Sequence, residues 1–79
     1  MDREQLKQLI ISQLTEIAPE LEGEDLTETE DMRDAFDLDS MDFLNLVSAV
    51  SKQTGINVTE VDYPKVLTIE GMVAYLAGR

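Results

Sequence analysis

The sequence contains no cysteine and no histidine. The first absence excludes disulfides, thiolate nucleophiles and cysteine-based metal sites. The second removes the commonest general base and the commonest transition-metal ligand. Basic residues are also scarce: 6 Lys and Arg stand against 17 Asp and Glu, for a formal net charge of -11. Such a chain is a poor match for nucleic acid or for an anionic membrane surface. It suits basic protein partners, found quickly through electrostatic steering. No apolar run approaches a membrane span or a signal-peptide core. The expectation is a soluble, cytoplasmic protein without a targeting segment. The 79 residues are expected to form one domain over 1–79, with a small core. No feature demands an oligomer, so a monomer is expected.

What is present is helical periodicity. Leu6, Ile10, Leu14 and Ile17 recur at helical spacing, with Asp2 and Gln5 placed for a capping box. This predicts a first helix over about residues 3–17, stopped near Pro19. Residues 19–38 show no sustained period. Leu21, Leu26, Met32, Phe36 and Leu38 punctuate them as pins onto the core, with one helical turn near Arg33–Phe36. Phe43, Leu46, Val47 and Val50 then mark a central helix from Ser40 to about Gln53, ended by Gly55. A short third helix is expected after Thr59, halted by Pro64. Thr68 caps a last helix with the stripe Ile69, Met72, Val73 and Leu76. The fold class predicted is all-α: a small four-helix bundle of three longer helices and one short one, with a long first loop.

The acids are concentrated. Twelve of them lie between Glu16 and Asp42, with only Arg33 among them to oppose the charge. They lead to Asp39-Ser40-Met41, where an acidic loop meets the start of the central helix. A helix N-terminus offers unpaired N–H groups and the positive end of the macrodipole, so a phosphate on Ser40 would be tolerated there. Asp39 followed by a first-turn serine is equally an ordinary cap.

Catalysis by the chain itself finds no support. Ser40 has no histidine to activate it, and residue 43, where a Ser-x-x-Lys pair needs lysine, is Phe. A calcium loop starting at Asp37 fails as well, with Asp42 at the glycine position and Ser48 at the final glutamate position. No catalytic residue and no metal site is expected. A serine modified by another protein is what survives.

The run Phe36-Asp37-Leu38-Asp39-Ser40-Met41, set in this order of helices, resembles the acyl carrier proteins. The likeness covers nearly the whole chain. It implies that Ser40 carries 4′-phosphopantetheine, derived from coenzyme A. It also implies that Asp39 and Met41 flank the site and take part in its recognition. The implied partners are a phosphopantetheinyl transferase and basic-surfaced enzymes that load and process acyl groups. The implied function is to carry acyl intermediates as thioesters in fatty-acid, related lipid or secondary-metabolite biosynthesis. In some relatives the core parts to shelter the cargo, and Phe43, Leu46, Val47, Ile56, Val61 and Ile69 would line such a space.

Three departures from the family pattern stand out. Asp37 occupies a position that is often glycine. The second half of the central helix, with Asn45 and then Ser51-Lys52-Gln53-Thr54, is nearly neutral where fatty-acid carriers are acidic. Tyr63-Pro64-Lys65 replaces a usually acidic run. A D-alanyl or polyketide-type carrier would use the same serine. An unmodified acidic helical adaptor is the alternative from another class.

Overall fold

The computed structural model describes residues 1–78; Arg79, the last residue of the closing Gly78-Arg79 pair, lies outside them. Among the described residues the fold is entirely helical. Helix α1 spans Arg3–Ile17, α2 is a single turn at Met32–Ala35, α3 spans Ser40–Thr54 and α4 spans Ile69–Ala77. Two 3₁₀ elements join them, a turn at Pro19–Leu21 and a longer segment at Glu60–Val66. This is the predicted small bundle, with α1, α3 and α4 as its long members and the 3₁₀ segment as its short one.

Helix α1 starts on the expected capping box. Asp2 accepts from the Gln5 amide at 2.8 Å, and the Asp2 amide donates back to Gln5 at 3.0 Å. Its inward stripe, Leu6, Ile10 and Leu14, is buried against α3 and α4. Helix α3 contributes Phe43, Leu46, Val47 and Val50, and α4 contributes Ile69, Met72, Val73 and Leu76. No polar or charged residue is buried among the described residues. The core is therefore apolar throughout, and helical periodicity alone identified most of it. Gly55 ends α3 at φ 72, the left-handed C′ conformation that glycine adopts without strain.

The long loop is fastened as its apolar spacing predicted. Met32, Phe36 and Leu38 are buried, and Leu21 and Leu26 pack against the core from outside. Backbone bonds add two further ties. The Met32 amide donates to the Leu67 carbonyl at 2.8 Å, and the Glu70 amide donates to the Glu28 carbonyl at 2.9 Å. The loop thus satisfies one of the open N–H groups in the first turn of α4. Arg33 is not alone in opposing the acids, because Lys7 on α1 pairs with Glu28 at 2.9 Å. That cation comes from a neighbouring helix, which the linear charge pattern does not reveal.

The third helix departs from expectation in three ways. Pro64 does not halt it but lies inside it, and the segment is 3₁₀ rather than α. Proline's fixed φ is close to that of 3₁₀ backbone, while the residue before proline disfavours α geometry. Thr59 makes no side-chain capping bond; the segment opens instead with the Asp62 amide donating to the Thr59 carbonyl at 2.9 Å. Val61, expected among a core lining, is 85 % exposed. In a tighter helix side chains three apart eclipse, which shifts the inward face to Val66. The segment is then held to α4 by the Tyr75 hydroxyl, which donates to Asp62 at 2.7 Å.

Candidate functional site

The stretch from Asp37 to Leu44 forms the corner between loop and α3. Leu38 is buried and anchors the approach, and its amide donates to the Arg33 carbonyl at 3.1 Å. The chain then turns sharply. Asp37 has φ 56, in the left-handed region, and no other non-glycine residue does so among those described. A glycine at that position would adopt this conformation without strain. A left-handed residue with a Cβ costs roughly 1–2 kcal/mol, softened for Asp, whereas glycine costs about 0.5–1 kcal/mol in unfolded-chain entropy. Asp37→Gly is therefore expected to raise stability by about 0.5 kcal/mol. The urea midpoint measures it, and a lower midpoint would mean that the Asp37 carboxylate stabilises the turn.

Asp39 is the N-cap of α3, with extended backbone, and its side chain accepts from the Asp42 amide at 2.8 Å. Asp42 reciprocates through a long 3.4 Å contact from the Asp39 amide. The pair is a capping box in which aspartate replaces the usual glutamate. Sequence reasoning found Asp39 but missed Asp42, although Asp39-x-x-Asp42 carries the signal. Ser40 is the first helical residue and is exposed. Its hydroxyl has no partner among the described residues. The box claims the Asp42 amide and the Phe43 amide reaches the Asp39 carbonyl, which leaves the Ser40 and Met41 amides open. Met41 is 66 % exposed beside it, an apolar side chain facing solvent. Asp39, Ser40 and Met41 thus occupy the N-cap and the first two positions of α3.

Beside Ser40 lies a groove of about 320 Å³, walled by Phe43, Leu44, Tyr63, Pro64 and Leu67, with Arg33 at its edge. Tyr63 meets Phe43 edge-on, with ring centroids 5.7 Å apart. Neither Tyr63 nor Arg33 was singled out for this place, because each lies far along the chain from Ser40 or within the featureless loop. Arg33 is fixed by Asp31, donating from Nε at 3.1 Å and from a terminal nitrogen at 2.8 Å. The Arg33 guanidinium in turn holds the Asp31 carboxyl below the usual carboxylate range. A folded-state pKa lowered in this way contributes stability above the unfolded value and loses it as pH falls.

The family model described as "Phosphopantetheine attachment site" matches residues 4–76. Neither the curated proteins nor the solved structures contain a significant match to the chain. The local chemistry fits the group that the family carries. An exposed primary hydroxyl is free for a phosphodiester link, and two open amides and the helix dipole face an anion placed on it. The adjoining groove is mainly apolar. The chain belongs to the phosphopantetheine attachment site family, and its covalently bound prosthetic group is 4′-phosphopantetheine.

Proposed function

We propose that residues 1–79 act as one acyl carrier domain and that Ser40 is the attachment point. The observation that carries this is the free, exposed Ser40 hydroxyl at the first position of α3, beside an apolar groove. In the attachment reaction the Ser40 oxygen bonds to the phosphorus next to the pantetheine arm of coenzyme A. The pyrophosphate bond breaks, adenosine 3′,5′-bisphosphate leaves, and the hydroxyl proton passes to a base of the transferase. The prosthetic group supplies a thiol on a flexible arm, on which an acyl group is held as a thioester.

The protein's own residues present the site. Asp39 and Asp42 fix the start of α3, so the serine oxygen has a defined direction. Met41, with Leu44 at 41 % exposure, supplies apolar contact for a visiting enzyme. The surrounding carboxylates steer basic partners toward it. Domains of this family work with a phosphopantetheinyl transferase and with acyl-processing enzymes, and are typically not catalysts themselves. The pathway we favour is fatty-acid, related lipid or secondary-metabolite synthesis in the cytoplasm, with this chain as a monomeric carrier. Among the described residues no helix is long and apolar enough to cross a membrane.

The test is mass measurement after incubation with coenzyme A and a broad phosphopantetheinyl transferase. A gain of one phosphopantetheine, mapped by peptide fragmentation to Ser40, is expected. An unchanged mass, or a label elsewhere, would overturn the assignment.

A further inference from the structure

Among the residues that line the groove beside Ser40, Arg33 alone carries a charge, and the charge is positive. A cation is the rarer kind here, since 6 basic residues stand against 17 acids. The nearest acids, Asp39 and Asp42, are the capping pair of α3.

The fold brings Arg33 to this place. The Leu38 amide donates to the Arg33 carbonyl at 3.1 Å, which closes residues 33–38 around the left-handed Asp37. From Leu38 to Ser40 is two residues of chain, at most about 7 Å. Arg33 and Ser40 therefore share a groove although they belong to different helices.

The ion pair with Asp31 uses only part of the guanidinium. Arginine has five N–H donors in a fixed fork. Asp31 accepts from Nε at 3.1 Å and from Nη2 at 2.8 Å. Nη1 has no acceptor among the described residues. A carboxylate that grips one edge of the fork restrains the side chain and leaves the other edge for a second acceptor. Such pre-organisation lowers the entropy lost when that acceptor arrives.

An arm on Ser40 brings an anion here. Its phosphodiester keeps one negative charge, close to the carboxylates of Asp39 and Asp42. The open Ser40 and Met41 amides and the helix dipole offset part of the repulsion with partial charges. In the lining of the groove, a full positive charge comes from Arg33 alone. We propose that Arg33 is a positioning residue for the prosthetic group. Its Nη1 donates to the phosphodiester oxygens once the arm is on Ser40, while Asp31 holds the guanidinium. The contact fixes the root of the arm at the mouth of the groove. This assignment rests on Ser40 being the attachment point.

The test compares apo and holo forms of each variant, with no partner enzyme present. Holo protein is made with coenzyme A and a broad phosphopantetheinyl transferase, and peptide mapping verifies the arm on Ser40. Urea titrations then give the apo-to-holo change in the folding constant. That change is expected to be about two- to fivefold less favourable in Arg33→Gln than in wild type, the range of an exposed charge pair. High salt should shrink the difference. Arg33→Lys keeps a point charge and should restore part of it. Arg3→Gln removes the same charge from the start of α1 and should behave as wild type. Within wild type, the Arg33 side-chain N–H resonances should shift on conversion from apo to holo. This second readout stands even if Arg33→Gln does not fold. A role confined to Asp31 would change apo and holo alike. Equal apo-to-holo changes in wild type and Arg33→Gln, an equal loss in Arg3→Gln, or Arg33 resonances unmoved by conversion would overturn the role of Arg33 and leave Ser40 as the attachment point. Failure of the arm to appear on Ser40 would overturn both.

Discussion

Ser40→Ala is expected to fold normally and to gain no mass from coenzyme A and a phosphopantetheinyl transferase. The two halves of this result have separate physical grounds. Ser40 is the first residue of α3 and not its cap. The capping bonds come from Asp39 and Asp42 and do not involve the serine side chain. Alanine is a better helix former than serine by at most about 0.5 kcal/mol, so stability should change by a few tenths in either direction. The chemical half is absolute, because the variant has no oxygen to link to phosphorus. Ser12, Ser48 and Ser51 are the other serines, and all lie within helical turns of α1 or α3. Only Ser40 stands next to open backbone amides. Retained labelling of Ser40→Ala, at any of the three, would refute the assignment. Unfolding of the variant would refute the claim that the serine is structurally neutral; circular dichroism and a urea titration detect that outcome.

The sequence made some parts of this structure plain and others invisible, for identifiable reasons. Helices α1, α3 and α4 were legible because each carries an apolar stripe at helical spacing between recognisable caps. Asp2 with Gln5, Asp39, Gly55 and Thr68 all behave as those residue types do at helix ends. The place of Ser40 at the start of α3 was legible because loop acids give way abruptly to helical periodicity there. The 3₁₀ segment was not, because Pro64 halts an α-helix but is compatible with the tighter one. That single difference misplaced Val61, which is exposed, and hid the place of Tyr63, which forms a wall of the groove beside Ser40. Contacts between distant residues were equally out of reach. Nothing local to Lys7, Glu28, Asp62 or Tyr75 tells that they meet in pairs. The left-handed Asp37 is an intermediate case. The family's preference for glycine hints at it, but aspartate alone does not.

Gly71 is where the sequence and the structure predict opposite signs for one substitution. In isolation, glycine inside α4 costs about 1 kcal/mol relative to alanine, so Gly71→Ala reads as stabilising. In the folded protein a Cβ at Gly71 would lie 2.6 Å from the Lys65 carbonyl oxygen and 2.9 Å from the Thr68 side-chain oxygen. The first is a backbone atom of the 3₁₀ segment and has no rotamer to move into. The second is the N-cap of α4, which accepts from the Gly71 amide at 2.8 Å. Forcing atoms into such a contact costs typically about 1–3 kcal/mol, and weakening the cap adds about 1 kcal/mol. The steric terms exceed the propensity gain. Gly71→Ala is therefore expected to lose about 1–3 kcal/mol net, with a fall in Tm of roughly 4–8 °C per kcal/mol for a domain of this size. Ala74→Gly calibrates the propensity term, since Ala74 lies in the same helix and is exposed. It should cost about 1 kcal/mol with no change outside α4. Gly71→Ala should differ in kind as well as in size. Displacing Lys65 moves the segment that carries Asp62 and Tyr63, so the Tyr63 ring resonances and the amide exchange of residues 62–66 should change. Labelling at Ser40 should persist, because Ser40 sits on α3. A higher Tm for Gly71→Ala would show that α4 and the 3₁₀ segment do not approach as closely as described, and that helix propensity governs this position after all.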